Sequence, residues 1–201
     1  AAAWGLLGNA GTVNGTNFLG TTDAQSLDFR TNNIIRTRIT QKGQIETLNT
    51  GNSVFIGEGA GANDDLSNNL NVFVGKDAGA SNTTGYANSA NGYQALYAND
   101  GGYRNAASGA YALTANTTGY ANAAFGKDAL AINTTGYRNT ALGAFADVSA
   151  NNLTNATAIG YNAEVDASNK IKLGNNNVTS VSTAGALTTG AVTYPNTDGS
   201  A

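Results

Sequence analysis

The sequence contains no cysteine, histidine or methionine and only one proline, and only 11% of its residues are charged. Without cysteine and histidine the chain has no disulfide, no thiolate nucleophile, no imidazole base and no zinc site with the usual nitrogen and sulfur ligands. The common haem ligands are missing for the same reason. We therefore expect no cofactor and no enzymatic activity.

The sequence also has no large excess of charge of one sign and no long apolar run. The formal net charge is -3 and the basic residues are scattered, so no basic stripe is available for a nucleic-acid backbone. No run approaches the roughly 20 apolar residues that a membrane helix needs, and the first residues lack the basic and apolar regions of a signal peptide. We expect neither a nucleic-acid partner nor membrane insertion by this segment. Because methionine is absent, we expect a processed segment or a piece of a longer chain.

Glycine, asparagine, alanine and threonine are abundant instead, and they form a repeat. A short segment ending in glycine recurs, and successive glycines are 18, then 17 five times, then 14 residues apart. The repeat glycines are Gly57, Gly75, Gly92, Gly109, Gly126, Gly143, Gly160 and Gly174. Further columns in the same phase are Leu96, Leu113 and Leu130, and Asn82, Asn99, Asn116 and Asn133.

A repeat of 17 residues is too short for a helical repeat, which needs two helices and about 33 residues or more. It is long enough for one coil of a β-solenoid, with two strands of four or five residues and tight turns rich in glycine and asparagine. Equivalent residues on stacked coils lie about 4.8 Å apart, so they can form ladders of amide hydrogen bonds or stacked rings. The predicted fold is all-β, a parallel β-roll.

Strand alternation predicts which side chains share a face. Thr140 and Leu142 lie on one face of their strand, and Asn139, Ala141 and Gly143 lie on the other. Inward positions filled mostly by alanine bury little apolar area per coil. We therefore expect several rolls to pack side by side, and a closed three-fold assembly does this without a free lateral edge.

The segments Asn71-Val-Phe-Val-Gly75, Asn139-Thr-Ala-Leu-Gly143 and Ala156-Thr-Ala-Ile-Gly160 resemble the head repeats of trimeric autotransporter adhesins of the YadA type. The longer repeat, with Gly92-Tyr-Gln-Ala-Leu96, is also similar to repeats of bacterial surface and tail-fibre-like proteins. The resemblance covers residues 52–174 and implies a left-handed β-roll assembled as a homotrimer. The adhesin repeat is usually shorter than this one, and the heptad stalk and membrane anchor of that family are not in the sequence.

The sequence divides into three parts. Residues 1–50 are predicted to form a β-meander with two exposed arginines, Arg36 and Arg38. Residues 51–174 form the β-roll. Residues 175–201 are predicted to form a neck-like end with two short strands, indicated by Val178, Val181 and Leu187, and a solvated tail.

One column of aromatic residues is the candidate ligand surface. It consists of Tyr86, Tyr103, Tyr120 and Tyr137, with Arg104 and Arg138 beside it. Aromatic faces beside guanidinium groups can hold sugars or peptides. The alternative is that the rings stack on each other or seal contacts between subunits.

Other segments lack the features of the chemical sites that they resemble. Gly57-Glu-Gly-Ala-Gly61 has no Lys-Ser or Lys-Thr, so it is not a phosphate loop. Asn63-Asp64-Asp65 and Asn99-Asp100-Gly101 lack the spacing of a calcium loop and are interpreted as solvated turns. The carboxylates Asp77, Asp128 and Asp147 are expected to lie along a rod and not across a cleft.

We therefore expect an extracellular, non-enzymatic adhesin or surface-fibre module that is a homotrimer and binds a host or matrix protein or glycan weakly and in many copies. One alternative is an ice- or crystal-binding solenoid, suggested by Thr83-Thr84, Thr117-Thr118 and Thr134-Thr135. A second is a segment of a phage or contractile-injection tail fibre.

Overall fold

The structure is a computed structural model that describes residues 20–48 and 50–180. These residues form thirteen strands and no helix, so they contain no helix able to cross a membrane. The strands are β1 (Leu27–Thr31), β2 (Ile34–Ile39), β3 (Ile45–Thr47), β4 (Val54–Ile56), β5 (Val72–Val74), β6 (Ser89–Asn91), β7 (Ala106–Ser108), β8 (Ala123–Phe125), β9 (Thr140–Leu142), β10 (Asp147–Val148), β11 (Thr157–Ile159), β12 (Glu164–Val165) and β13 (Ile171–Leu173).

The first three strands form an antiparallel sheet in the order β1-β2-β3, within the segment predicted to be a meander. Asn32 and Asn33 both have positive φ, as the two-residue turn between twisted strands requires. Arg38 lies opposite Asp28, and its Nε is 2.7 Å from the Asp28 carboxylate. Arg36 is exposed as expected, but Arg38 is half-buried in this ion pair.

The repeat region is a parallel β-solenoid of about seven turns, which confirms the interpretation of the 17-residue repeat. One strand from each coil enters an eight-stranded parallel sheet with the order β13-β11-β9-β8-β7-β6-β5-β4. Equivalent residues are paired without a register shift. Ala90 pairs with Ala107, Ala124 with Ala141, and Ala141 with Ala158.

The coils have fewer and shorter strands than the sequence predicted. Each contributes a single three-residue strand to the large sheet, and a second strand occurs only in the pair β10 and β12. Elsewhere the chain turns through residues with left-handed backbone, such as Tyr111 and Leu113. Its amides still bond between coils, since Leu113 N donates to Ala129 O over 2.9 Å. Inter-coil hydrogen bonds therefore replace the expected strand.

The core consists of stacked small and aliphatic side chains. In the eight-stranded sheet, the central residue of β4 to β9 and of β11 points inward. It is phenylalanine in β4 and β5, where Phe55 and Phe73 stack with centroids 5.6 Å apart, and alanine in the others. A second layer is formed by fully buried alanines and leucines: Ala95, Leu96, Ala112, Leu113, Ala129 and Leu130. The interior is thus thin, apolar and repeated from coil to coil.

The repeat glycines lie where a side chain cannot be placed. Gly109 has φ +138, and a Cβ built on it would lie 2.4 Å from the backbone oxygen of Gly126 on the next coil. The same overlap with the next repeat glycine, at 2.5 to 2.7 Å, recurs at the five other repeat glycines from Gly57 to Gly143. Glycine is needed at each coil both for its backbone conformation and for the close stacking.

The coils end before the predicted neck. Residues 175–180 contain no strand, and Val178 is half-exposed. The predicted strand residues Val181 and Leu187 lie outside the described residues, as do residues 1–19 of the predicted first part.

Candidate functional site

The four tyrosines of the predicted column lie on successive coils and stack face to face. Their ring centroids are 4.9, 4.8 and 4.7 Å apart, and neighbouring ring planes differ by only 4 to 5°. The faces of the inner rings, Tyr103 and Tyr120, are therefore covered by neighbouring tyrosines, as the alternative interpretation of the column expected. Tyr86, at one end of the stack, is 40% exposed.

Arg104 and Arg138 lie beside the stack on alternate coils. Each guanidinium lies near the ring of the preceding tyrosine, with its carbon 5.8 Å from the Tyr103 centroid and 5.7 Å from the Tyr137 centroid, respectively. Both arginines are exposed and have left-handed backbone, with φ of 55° and 58°. Neither side chain makes an ion pair or a hydrogen bond with any residue in 20–48 or 50–180. We call this set of four tyrosines and two arginines the Tyr–Arg face.

Buried asparagines lie next to the Tyr–Arg face in the chain and link its coils by hydrogen bonds. Asn105, two residues after Tyr103, donates from its backbone N to Asn88 Oδ1 over 3.0 Å and from Nδ2 to Gly119 O over 2.8 Å. The same contacts recur along the column formed by Asn71, Asn88, Asn105, Asn122 and Asn139. Each coil is thereby fixed to the next by side-chain amides as well as by backbone hydrogen bonds.

A second asparagine ladder runs through the turns and ends on Asp64. Asn133, Asn116 and Asn99 each donate from Nδ2 to Oδ1 of the asparagine one coil earlier, over 2.7 to 3.0 Å. Asn82 donates to Asp64 Oδ2 over 3.0 Å. Asp64 is buried, so it does not lie in a solvated turn as the sequence suggested. Its carboxylate caps the ladder.

The other predicted turn, Asn99-Asp100-Gly101, is hydrogen-bonded to the preceding coil. Asp100 accepts a hydrogen bond from the Thr83 hydroxyl, and Asn99 belongs to the buried ladder. In residues 20–48 and 50–180, no three acidic side chains converge to hold a metal ion. The glycines of Gly57-Glu-Gly-Ala-Gly61 are accounted for by packing, because a Cβ on Gly61 would lie 2.6 Å from the Phe55 ring.

In the threonine pairs, some hydroxyl groups donate hydrogen bonds within the solenoid. Thr117 Oγ1 donates to Thr134 O over 3.2 Å, and Thr134 Oγ1 donates to Asn151 O over 3.4 Å. The second threonines of the pairs, such as Thr118, are exposed. A hydroxyl that is bonded to the next coil is not free to match a crystal lattice, which weakens the ice-binding interpretation.

A second aromatic ridge was not found from the sequence. It follows the repeat glycines and contains Tyr93, Tyr111, Phe145 and Tyr161, with Lys127 Nζ 4.6 Å from the Phe145 centroid. Interaction with Tyr111 raises the pKa of Tyr93. Lys127 also pairs with the neighbouring Asp128, so its charge is neutralised. The aromatic residues lie at either the first or the second position after the repeat glycine. These two positions also carry residues such as Lys76, Ala110 and Asp128, so the sequence shows no uniform column.

Two of the three carboxylates placed along the rod, Asp128 and Asp147, line one groove. The groove has a volume of about 400 Å³ and is lined by Asp128, Phe145, Asp147 and Glu164 among others. Burial raises the pKa of Asp147 to about 6. Asp147 accepts hydrogen bonds from the backbone N of Val148 and Ile132 over 2.8 and 3.2 Å, so its carboxylate joins two coils.

The outer face of the eight-stranded sheet is apolar at both ends. The first and third residues of each strand share the outward face, and Thr140 and Leu142 lie on one face as predicted. At one end Ile56 is 56% exposed, and at the other Leu142 is 52% and Ile171 is 67% exposed. Between them β6 and β7 present the exposed polar residues Ser89, Asn91 and Ser108. We call this surface the outer sheet face.

Comparison with protein-family models gives no match for this chain, and comparison with curated proteins gives no significant match.

Proposed function

We propose that the chain is a non-enzymatic structural module of an extracellular adhesin or surface fibre, in which three copies form a stiff rod. The proposal includes a left-handed winding of the coils, as in the adhesin heads that the repeat resembles. The observation that carries it is the outer sheet face, because exposed apolar side chains on a flat sheet favour association.

A second copy is the occupant that best suits this surface. The apolar ends and the polar middle lie along the solenoid axis, so copies related by a three-fold axis parallel to the rod bring like residues together at each level. Ile56 then meets Ile56 of the neighbours, and Leu142 meets Leu142. Burial of this face also supplements the thin core of each coil.

Attachment follows from rigidity and repetition. The ladders fix each coil against its neighbours, and a three-fold rod presents each exposed surface three times. Weak single contacts then add up to stable attachment through avidity. A segment of a tail fibre of a phage or contractile particle has the same physical requirements and stays the second candidate.

Light scattering with size separation tests the assembly. We expect the mass of three chains for the unchanged protein and the mass of one chain for Leu142→Glu, since a charge in an apolar contact is strongly unfavourable. Thr118→Glu, an exposed change away from the outer sheet face, is the matched control and should leave three chains. A single-chain mass for the unchanged protein would refute the trimer.

Attachment is tested with beads that carry the protein at equal surface density. We expect trimer-coated beads to be retained on cells or extracellular matrix and beads coated with Leu142→Glu to be released by washing, because avidity is lost. Equal release of both kinds of bead would refute the adhesive role while leaving the trimer intact.

A further inference from the structure

The two arginines of the Tyr–Arg face recur at a spacing of two coils. The residue after each tyrosine is Ala87, Arg104, Ala121 and Arg138 in turn, so guanidinium groups alternate with methyl groups. From Tyr103 to Tyr137 the ring centroids advance by steps of 4.8 and 4.7 Å. The positive charges therefore repeat at about twice the rung spacing of a β-sheet.

The charge of these arginines is not neutralised by neighbouring carboxylates. Three lysines of the solenoid are paired: Lys76 with Glu58, Lys127 with Asp128, and Lys170 with Asp166. Arg104 and Arg138 form no such pair with any described residue between 50 and 180, and each guanidinium lies near a tyrosine ring. In a chain of net charge -3, this face is a local site of attraction for an anion.

The Tyr–Arg face is straight, and its backbone is already paired. Successive tyrosine planes differ by at most 5°, whereas adjacent β-strands are rotated by roughly 20 to 25°. The amide N atoms of Ala121 and Arg138 both donate to tyrosine carbonyls one coil earlier over 3.0 Å. An extended peptide would find no free sheet edge here and would twist away from the column, so a polymer with a straight ribbon form fits better.

We propose that the Tyr–Arg face binds a linear acidic polysaccharide that carries one carboxylate or sulfate per disaccharide. Two pyranose rings in an extended chain span a distance close to two coils, so successive anionic groups reach Arg104 and Arg138. Each guanidinium offers a planar set of donors to the anion. The tyrosine between the two arginines, Tyr120, lies beneath the intervening sugar. This proposal rests on the proposed attachment function and names the class of its ligand.

The test uses hyaluronate, a polymer of alternating uronic acid and amino sugar, with the full chain and titration calorimetry at low salt. We expect binding that weakens as salt is added, because exposed charges are screened. Binding of Arg104→Ala/Arg138→Ala should be weaker by about tenfold or more, since two charged hydrogen-bonding groups are lost. Alanine already occupies the equivalent positions 87 and 121 with the same backbone conformation, so these variants should fold.

A register variant separates spacing from charge. Arg138→Ala/Ala121→Arg keeps two arginines and the same net charge but brings them to adjacent coils. We expect this variant to bind hyaluronate as weakly as Arg138→Ala alone. Arg36→Ala, an exposed change of the same charge on the antiparallel sheet, should bind like the unchanged chain.

Three results would overturn the proposal. They are equal binding by the register variant and the unchanged chain, equal affinity for poly-L-glutamate and hyaluronate, and absence of any hyaluronate binding. Loss of the three-chain mass in Arg104→Ala/Arg138→Ala would also overturn it and assign the face to subunit contacts. The attachment function would still be supported after any of these results if beads coated with the unchanged protein were retained on matrix.

Discussion

Asn116 Nδ2 lies 2.8 Å from Asn99 Oδ1 and donates a hydrogen bond to it inside the solenoid. The neighbouring contacts of the ladder have the same direction, so every carboxamide donates toward the first coil. Aligned amide dipoles present their positive end in that direction, by the same reasoning that applies to a helix N-terminus. The negative side chain that meets this end is Asp64. The ladder is thus polar from end to end and is closed by an anion.

Replacing Asn116 with alanine should destabilise the protein by about 2 to 3 kcal/mol, because Asn99 Oδ1 loses its donor in the interior and a gap opens between coils. Urea denaturation followed by circular dichroism measures the change. Thr118→Ala alters an exposed residue of the same coil and should have an effect within about 0.5 kcal/mol. Equal midpoints for the two variants would show that the ladder does not stabilise the fold.

The capping role of Asp64 is tested with asparagine, which has the same shape. Asp64 uses both oxygens as acceptors, Oδ1 for Leu66 N and Asn69 Nδ2, and Oδ2 for two further amides. Asp64→Asn places donors against donors and should cost about 1 to 3 kcal/mol at neutral pH. At Asp65 the acceptor for both Ser67 N and Asn69 Nδ2 is Oδ1, which asparagine retains.

Asp65→Asn is therefore the matched control for Asp64→Asn. It removes the same charge from the adjacent residue and should change the free energy of unfolding by less than about 0.5 kcal/mol. A loss of equal size in both variants would mean that net charge, and not the cap, determines the effect.

Glycine at the repeat position should be irreplaceable. Gly109→Ala forces a Cβ into the Gly126 carbonyl at a backbone conformation that alanine rarely adopts, so we expect a loss of about 3 kcal/mol or more. Gly101→Ala is the control, since a Cβ there lies in ordinary contact 3.6 Å from Thr84 Oγ1. Thermal unfolding compares the two. If Gly109→Ala melted at the temperature of Gly101→Ala, close stacking would not be the reason for the glycine.

The sequence was sufficient to predict the solenoid because periodicity reports directly which residues stack. The asparagine and tyrosine columns could be assigned from their 17-residue spacing alone. Other features depend on backbone conformation, which spacing does not reveal. Leu113 is buried with φ of 52°, a conformation unfavourable for leucine that is maintained by its packing. The role of Asp64 was missed because it depends on contacts with three asparagines.

The change of coil shape near Asp147 also escaped prediction. By repeat phase Asp147 corresponds to Leu130, but the chain is extended there as β10, and Val148 fills the core instead. In an earlier coil Ala98 N donates to the Thr114 carbonyl of the next coil. At the equivalent Ile132 the Asp147 carboxylate takes the place of that carbonyl. The Asp147 side chain therefore supplies the acceptor for Ile132 N where the coil shape changes.

The use of the Asp147 carboxylate in place of a backbone carbonyl predicts an unusual pH dependence of stability. Burial raises the pKa of Asp147 to about 6 in the folded chain from an ordinary value of 3.8, with Glu164 adding to the rise. Between about pH 4 and 6 the folded state holds the proton that the unfolded state has released. Stability from this group is therefore greatest below about pH 4, falls as pH rises to about 6, and is constant above it. The full change is at most about 3 kcal/mol.

Asp147→Asn removes the titrating group and should flatten this dependence. We expect the difference in free energy of unfolding between pH 4.5 and pH 7.5, measured by urea denaturation at one protein concentration, to be smaller in the variant by about 2 kcal/mol. Asp128 lines the same groove, so Asp128→Asn is the matched control and should retain the dependence of the unchanged chain. If both variants kept that dependence, Asp147 would not be its source, and the fall in stability would have to arise from other carboxylates.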